Sequence, residues 1–151
     1  MKRNFRGISK ILLIMITATL WLSHAMAAPN DTVLRVFSQT FPDAKSTSWV
    51  EDSEYYIVSF TRNDTQCRIW YDKAGALVYA LRYCQESELP LSVLLTVKKE
   101  YHNKHIEGVT ELTNKSGVTY ELLLSDNKKW YVLNSTSNGD VYLKYAMKKQ
   151  L

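Results

Sequence analysis

Residues 32–41 (TVLRVFSQTF) and 92–101 (SVLLTVKKEY) align at an offset of 60, and this internal repeat constrains the fold more than any other feature. Val33, Leu34, Phe37 and Phe41 fall on Val93, Leu94, Val97 and Tyr101. The spacing i, i+1, i+4, i+8 draws one apolar face of a helix, so the chain predicts two amphipathic helices. Asn30 or Asp31 suits the N-cap of the first, Pro42 stops it, and Leu89-Pro90 opens the second.

Four strand-like segments follow each helix, at 47–51, 54–62, 65–72 and 76–84, then at 108–114, 117–125, 128–135 and 140–148. Asp72-Lys73-Ala74-Gly75 and Thr136-Ser137-Asn138-Gly139 suit a type I turn closed by a left-handed glycine, a G1 bulge that pairs Asp72 with Ala76. Asn63-Asp64 and Asp126-Asn127 suit two-residue turns tolerant of positive φ. Carried outward, this register sets Phe60 opposite Cys67, Val58 opposite Ile69 and Tyr56 opposite Tyr71. It puts Leu77, Tyr79 and Leu81 on that same helix-covered face. In the second half it sets Leu122 opposite Tyr131, Leu133 opposite Leu143 and Tyr131 opposite Tyr145. The expected class is α+β. A tandem repeat of helix plus four strands (about 28–86 and 87–151) builds one antiparallel sheet of about eight strands with both helices on one face.

The same alternation fills the opposite face with Tyr55, Ile57, Arg68, Trp70, Val78 and Arg82, then with Leu123, Trp130, Val132, Tyr142 and Lys144. No third helix is left to cover it. Rings interleaved with Arg and Lys are the composition of protein–protein hot spots. The candidate partner-binding residues are therefore Tyr55, Arg68, Trp70, Val78, Arg82, Trp130, Tyr142 and Lys144. A competing reading stays open: cross-strand aromatic pairs also stabilise a solvated face, by about 0.2–1 kcal/mol each. Burial of the tryptophans by a loop or a homodimer is a further alternative.

Charge speaks only after the N-terminus is set aside. Lys2, Arg3, Arg6 and Lys10 precede an apolar run from Ile11 to Leu22, and Ala25-Met26-Ala27 offers a cleavage site. That is the pattern of a secretory signal over residues 1–27, and the run is too short to span a bilayer. The chain has 19 Lys+Arg and 15 Asp+Glu; four of the basic residues lie in the signal, which leaves 15 of each. A neutral mature chain gives no argument for nucleic acid or an anionic membrane, and Lys128-Lys129 and Lys148-Lys149 read as solvated ends. Residues 28–151 are expected to form one periplasmic or secreted domain.

Chemistry-bearing motifs are sparse. His102 and His105 near the end of the second helix, with Glu100 and Glu107, are the nearest approach to a metal set. A basic helix end complementing the dipole is the simpler reading. Glu51, Asp52 and Glu54 read as a solvated loop rather than paired catalytic carboxylates, so no enzyme activity and no cofactor are expected. Cys67 and Cys84 are a candidate disulfide in an oxidising compartment. The derived register, however, sets Cys67 against Leu81 and points Cys84 the other way, so bonding needs a bulge near Arg82 or a slipped turn.

The order Phe41-Pro42-x-Ala44, Trp49, Tyr56-x-Val58-x-Phe60, Tyr71-Asp72-x-x-Gly75 and Leu89-Pro90, followed by a second helix and sheet, resembles the PepSY-like family of secreted bacterial proteins. That family is itself similar to the beta-lactamase inhibitor protein. The resemblance spans roughly residues 31–148. It implies tandem helix-plus-four-strand units sharing one sheet and periplasmic export, and it brings no settled activity or catalytic residues to carry over. In the inhibitor the exposed sheet surface grips the enzyme; this chain departs from it in having one cysteine pair where the inhibitor has a disulfide in each repeat. The expected function is a non-enzymatic periplasmic module that binds a protein, inhibitor-like, through the open face. The alternative is a carrier or envelope sensor for a small peptide, glycan or apolar ligand.

Overall fold

A computed structural model describes residues 29–150; the signal expected at 1–27 lies outside them. Helix α1 (Asp31–Thr40) leads into strands β1 (Lys45–Glu51), β2 (Tyr55–Arg62), β3 (Thr65–Asp72) and β4 (Leu77–Cys84). A short 3-10 turn (Glu86–Glu88) connects these to α2 (Leu91–Glu100), β5 (His105–Asn114), β6 (Gly117–Ser125), β7 (Lys129–Thr136) and β8 (Val141–Lys148). The eight strands form one antiparallel sheet in simple sequential order. The additional residues of the second half lengthen its first strand: β5 has ten residues where β1 has seven.

Each helix packs on its own four strands. Val33 and Phe37 of α1 meet Val58, Phe60, Ile69 and Tyr71, with Trp49 edge-on to Phe37 at 5.3 Å. Val93 and Val97 of α2 meet Val109, Tyr120, Leu122, Leu124 and Leu133. These are the apolar stripes read from the repeat. Each helix start is also tied to the hairpin turn beneath it. Asn30 Oδ1 caps α1 by accepting from the Val33 N–H at 3.0 Å, while its Nδ2 donates to the Lys73 carbonyl. In the second half Ser92 Oγ donates to the Ser137 carbonyl at 3.2 Å. Gly75 and Gly139 close those turns at φ +90° and +97°, conformations that glycine alone adopts without strain.

The register agrees with expectation across β2 and β3, where Tyr56 faces Tyr71, Val58 faces Ile69 and Phe60 faces Cys67. It departs at two bulges. Tyr71 faces Leu77 as expected, but Trp70 then faces Tyr79, with Val78 left over. One inserted residue reverses the side of everything beyond it. Tyr79 and Leu81 therefore leave the expected core for the open face, and Arg82 crosses from the open face to the helix side. A second bulge at Lys144 keeps Leu133 opposite Leu143 but sets Tyr131 against Ala146, so Tyr145 joins the open face. Leu122 faces Leu133 rather than Tyr131, because the β6–β7 turn is wider than two residues. That slip of two preserves the side.

Arg82 now stands on the helix side between the two cores, opposite Cys67 and Glu111. Its Nε and Nη2 donate to both Glu111 carboxylate oxygens at 3.2 and 3.0 Å, and Nη1 donates to Glu88 at 2.6 Å. The hydrogen bonds to Glu111 push the guanidinium pKa further up. This fork clasps the first half to the second. Cys67 and Cys84 lie on this same side as free thiols, and burial pushes both pKa values up, which keeps them protonated and weakly nucleophilic.

Asp126 organises the β6–β7 turn. It accepts from the Tyr131 hydroxyl at 2.7 Å and from the backbone N–H groups of Lys128 and Lys129 at 2.8 Å. The Tyr131 bond first, then the backbone donors, hold its pKa down to about 2, from 3.8. A depressed carboxylate pKa stabilises the fold above the unfolded value and loses that contribution as pH falls through the folded one. Unfolding midpoints in urea should therefore drop as pH falls from about 4 toward 2. Asp43, Asp52 and Glu88 are also held low and share the loss. Asp126→Asn should be less stable than wild type at pH 7 and lose less on acidification. Equal acid losses in the two proteins would contradict this role.

Candidate functional site

The face opposite the helices is built by rows of side chains crossing the sheet. One row runs Val50, Ile57, Trp70, Tyr79, and the next Ser59, Arg68, Leu81, Leu112. Further rows run Tyr83, Thr110, Glu121, Asn134, Tyr142, then Gly108, Leu123, Val132, Tyr145, and finally Ser125, Trp130, Met147. Val50, Tyr83, Leu123, Tyr142, Tyr145 and Met147 are exposed. Tyr83, Leu123, Tyr145 and Met147 of this set line one depression, and clustered exposed apolar groups of this kind mark interaction sites.

Two features give the face relief. In the first half Trp70 stacks on Tyr79 with ring centroids 4.2 Å apart and planes 19° from parallel. Arg68 extends over Trp70, and its Nε donates to Ser59 Oγ at 3.0 Å. The bulge that brought Tyr79 to this side makes that stack. In the second half a depression of about 410 Å³ opens over Gly108, walled by Tyr83, Leu123, Tyr145 and Met147. Gly108 contributes no side chain, and a Cβ built there meets nothing within 4 Å. Glu121 stands at its rim and accepts from Lys144 Nζ at 2.7 Å, a hydrogen bond that raises the lysine pKa.

Of the eight candidate residues, Tyr55, Arg68, Trp70, Trp130 and Tyr142 share the open face. Lys144 occupies a bulge and reaches Glu121 on this face, and Lys149 Nζ lies 4.4 Å from the Trp130 ring centre. Val78 is the unpaired bulge residue, and Arg82 is on the other side. Tyr79, Tyr83, Gly108, Tyr145 and Met147 belong to the face but were not singled out by sequence. For Tyr145 a signal exists: the doublets Tyr142-Leu143 and Tyr145-Ala146 break alternation around Lys144, as a bulge does. Leu77-Val78-Tyr79-Ala80-Leu81 is apolar throughout and conceals its phase.

On the helix side a cleft of about 530 Å³ separates the two helix-covered halves, with Phe41, Phe60, Ile69 and Ala80 beside the Arg82–Glu111 fork. Among the described residues no three His, Cys, Asp or Glu side chains are grouped to hold a metal. Glu107 accepts from Ser125 Oγ, Glu51 binds Lys73 at 2.7 Å, and Asp52 caps the β1–β2 turn through the Glu54 and Tyr55 N–H groups. No described helix is long and apolar enough to cross a membrane.

No protein-family model matches the sequence, and comparison with curated proteins finds no match. Solved structures do match. A BLIP-like protein from Bacteroides fragilis superposes with a TM-score of 0.66 at 17% identity over 80% of this chain and 86% of that one. A DUF2874 family protein from Bacteroides ovatus gives 0.66 at 21% identity over 80% and 88%. A candidate periplasmic protein from Bacteroides eggerthii gives 0.66 at 17% identity over 80% and 89%. The chain thus has a BLIP-like fold.

Proposed function

We propose, from a BLIP-like fold with one uncovered sheet face, that this protein is a non-enzymatic envelope module that binds another protein through that face. The observation that carries the reading is the relief of the face. A stacked Trp70–Tyr79 pair stands in one half and an apolar depression over Gly108 in the other, on a surface with few charges. A rigid aromatic ridge and a socket are the two elements of a hot-spot interface, one inserting and one receiving. Arg68 and the Glu121–Lys144 pair would orient the partner. The charged groups of the face are engaged with hydrogen-bond partners or rings rather than arranged as an acid and a base, which favours binding over catalysis.

Export rests on the N-terminal basic and apolar pattern, and the periplasm is the compartment it favours. Immobilised protein exposed to envelope extract is expected to retain a discrete partner. Trp70→Ala and Tyr145→Ala should each weaken retention by about tenfold or more. Retention of the same proteins in equal amount by wild type and both variants would remove this face from the function.

A second reading has its own observation. The 530 Å³ cleft on the helix side lies within the size range of small-ligand sites. Under that reading the protein carries a small, mostly apolar molecule between its two halves. Native mass spectrometry of protein purified from the envelope should then show a bound small molecule, released on unfolding.

A further inference from the structure

Strand β8 is one edge of the sheet, and its side chains are exposed along nearly its whole length. It carries apolar residues on both sides, and the bulge at Lys144 moves Tyr145 and Met147 to the open one. Tyr142, Tyr145 and Met147 are 59%, 46% and 49% exposed on the open face, and Leu143 is 53% exposed on the helix face. A bare edge with apolar side chains on both sides invites another strand. The other edge differs: β1 begins with Lys45-Ser46-Thr47-Ser48, is irregular between Lys45 and Ser48, and holds Ser46 at φ 51°. Those first four residues offer a second strand no apolar side chain.

The charges at the ends of β8 identify its occupant. Asp140 immediately precedes the strand, and Lys148 and Lys149 end it. Among the described residues none of the three has an ion-pair partner; the Asp140 carboxylate accepts from Thr136 Oγ1 alone, and Lys149 lies over Trp130. Lys148 also faces Lys129 directly across β7, a like-charge pair that costs stability within one chain. An antiparallel strand carrying an acid at its start and two lysines at its end would cancel both ends at once. This chain supplies that strand itself.

We propose that two copies associate through β8, antiparallel about a two-fold axis, placing Asp140 of each against Lys148 and Lys149 of the other. The sheet becomes continuous across the pair, and the open faces of both copies join into one symmetric surface. An edge contact of eight residues is small beside a standard interface, so the dimer is expected to dissociate in the micromolar range or above. The proposal does not depend on any partner protein, and it is tested on the chain alone.

Sedimentation of purified, reduced protein over a wide concentration range should show a monomer–dimer equilibrium. Leu143→Lys, with its circular dichroism unchanged, should raise the midpoint concentration by about tenfold or more. Asp140→Lys alone, and Lys148→Asp with Lys149→Asp alone, should each weaken self-association. Mixed together, these two variants should recover it as a heterodimer, which a folding defect would not do. A chain monomeric at every concentration overturns the proposal and leaves the edge to a strand of another protein. Dimers indifferent to the β8 substitutions but lost in Trp70→Ala also overturn it, in favour of a face-to-face contact.

Discussion

Leu122→Ala is expected to lower the unfolding free energy by about 2–5 kcal/mol, whereas Leu123→Ala, its neighbour, should lower it by less than about 1 kcal/mol. The two residues are chemically identical and adjacent, so helix or strand propensity cannot separate them. Their sides do. Leu122 is 0% exposed, pressed between Val109 and Leu133 in the cluster under α2, and its loss leaves a cavity. Leu123 is 36% exposed and forms a wall of the open-face depression over Gly108. Its truncation removes area that water already reaches. The ranking should reverse in a binding measurement, where Leu123→Ala weakens partner capture and Leu122→Ala, once folded, does not. Urea unfolding of both variants, run beside capture from envelope extract, checks the pair of expectations. Equal stability losses would mean that the open face is as closely covered as the core.

Gly139→Ala should destabilise by about 1–3 kcal/mol, near the upper end of that range, while Gly108→Ala should stay within about 0.5 kcal/mol of wild type. Gly139 sits at φ +97°, where a side chain is strained, and a Cβ there would lie 3.0 Å from the backbone carbon and oxygen of Ser92. The turn that ends the β7–β8 hairpin's loop is packed against the start of α2, so the backbone has no room to yield. Gly75 holds the corresponding place under α1, but its nearest neighbour is the Thr32 methyl at 3.3 Å, a softer contact. Gly108 has neither constraint, and a larger residue there fills the depression instead. Gly108→Phe should therefore leave the thermal midpoint within a few degrees of wild type while reducing partner retention. Thermal unfolding followed by dye or circular dichroism, with capture on the same samples, separates the structural glycine from the surface one.

Much of this fold was legible because it is carried by local periodicity. Val33, Phe37, Val93 and Val97 announce their helices by spacing, and the β2–β3 pairing follows from Asn63-Asp64, which adopts φ 48° and 59° as a two-residue turn should. The candidate site was legible where a strand keeps its phase from turn to end. Arg68, Trp70, Trp130 and Tyr142 fall on the face that alternation assigns them. Beyond each bulge alternation misleads. Arg82 was read as an exposed contact and is instead the fork holding Glu111 and Glu88 between the two halves, while Tyr79, Leu81 and Tyr145 were read as core.

What the sequence by itself determined, then, is the element order, the single sheet and the existence of a helix-covered side, because periodicity and turn chemistry act over a few residues. The bulges at Val78 and Lys144 were decided only in the tertiary structure. Whether one residue is looped out depends on which neighbour fits the helix above and which strand lies alongside, Ala80 rather than Tyr79 against Ile69, and Ala146 rather than Tyr145 against Tyr131. A smaller residue under the packed face and an aromatic on the open one is the arrangement the two cores can hold. That packing choice, made far from any local signal, composed the ridge at Trp70 and Tyr79 and the socket over Gly108.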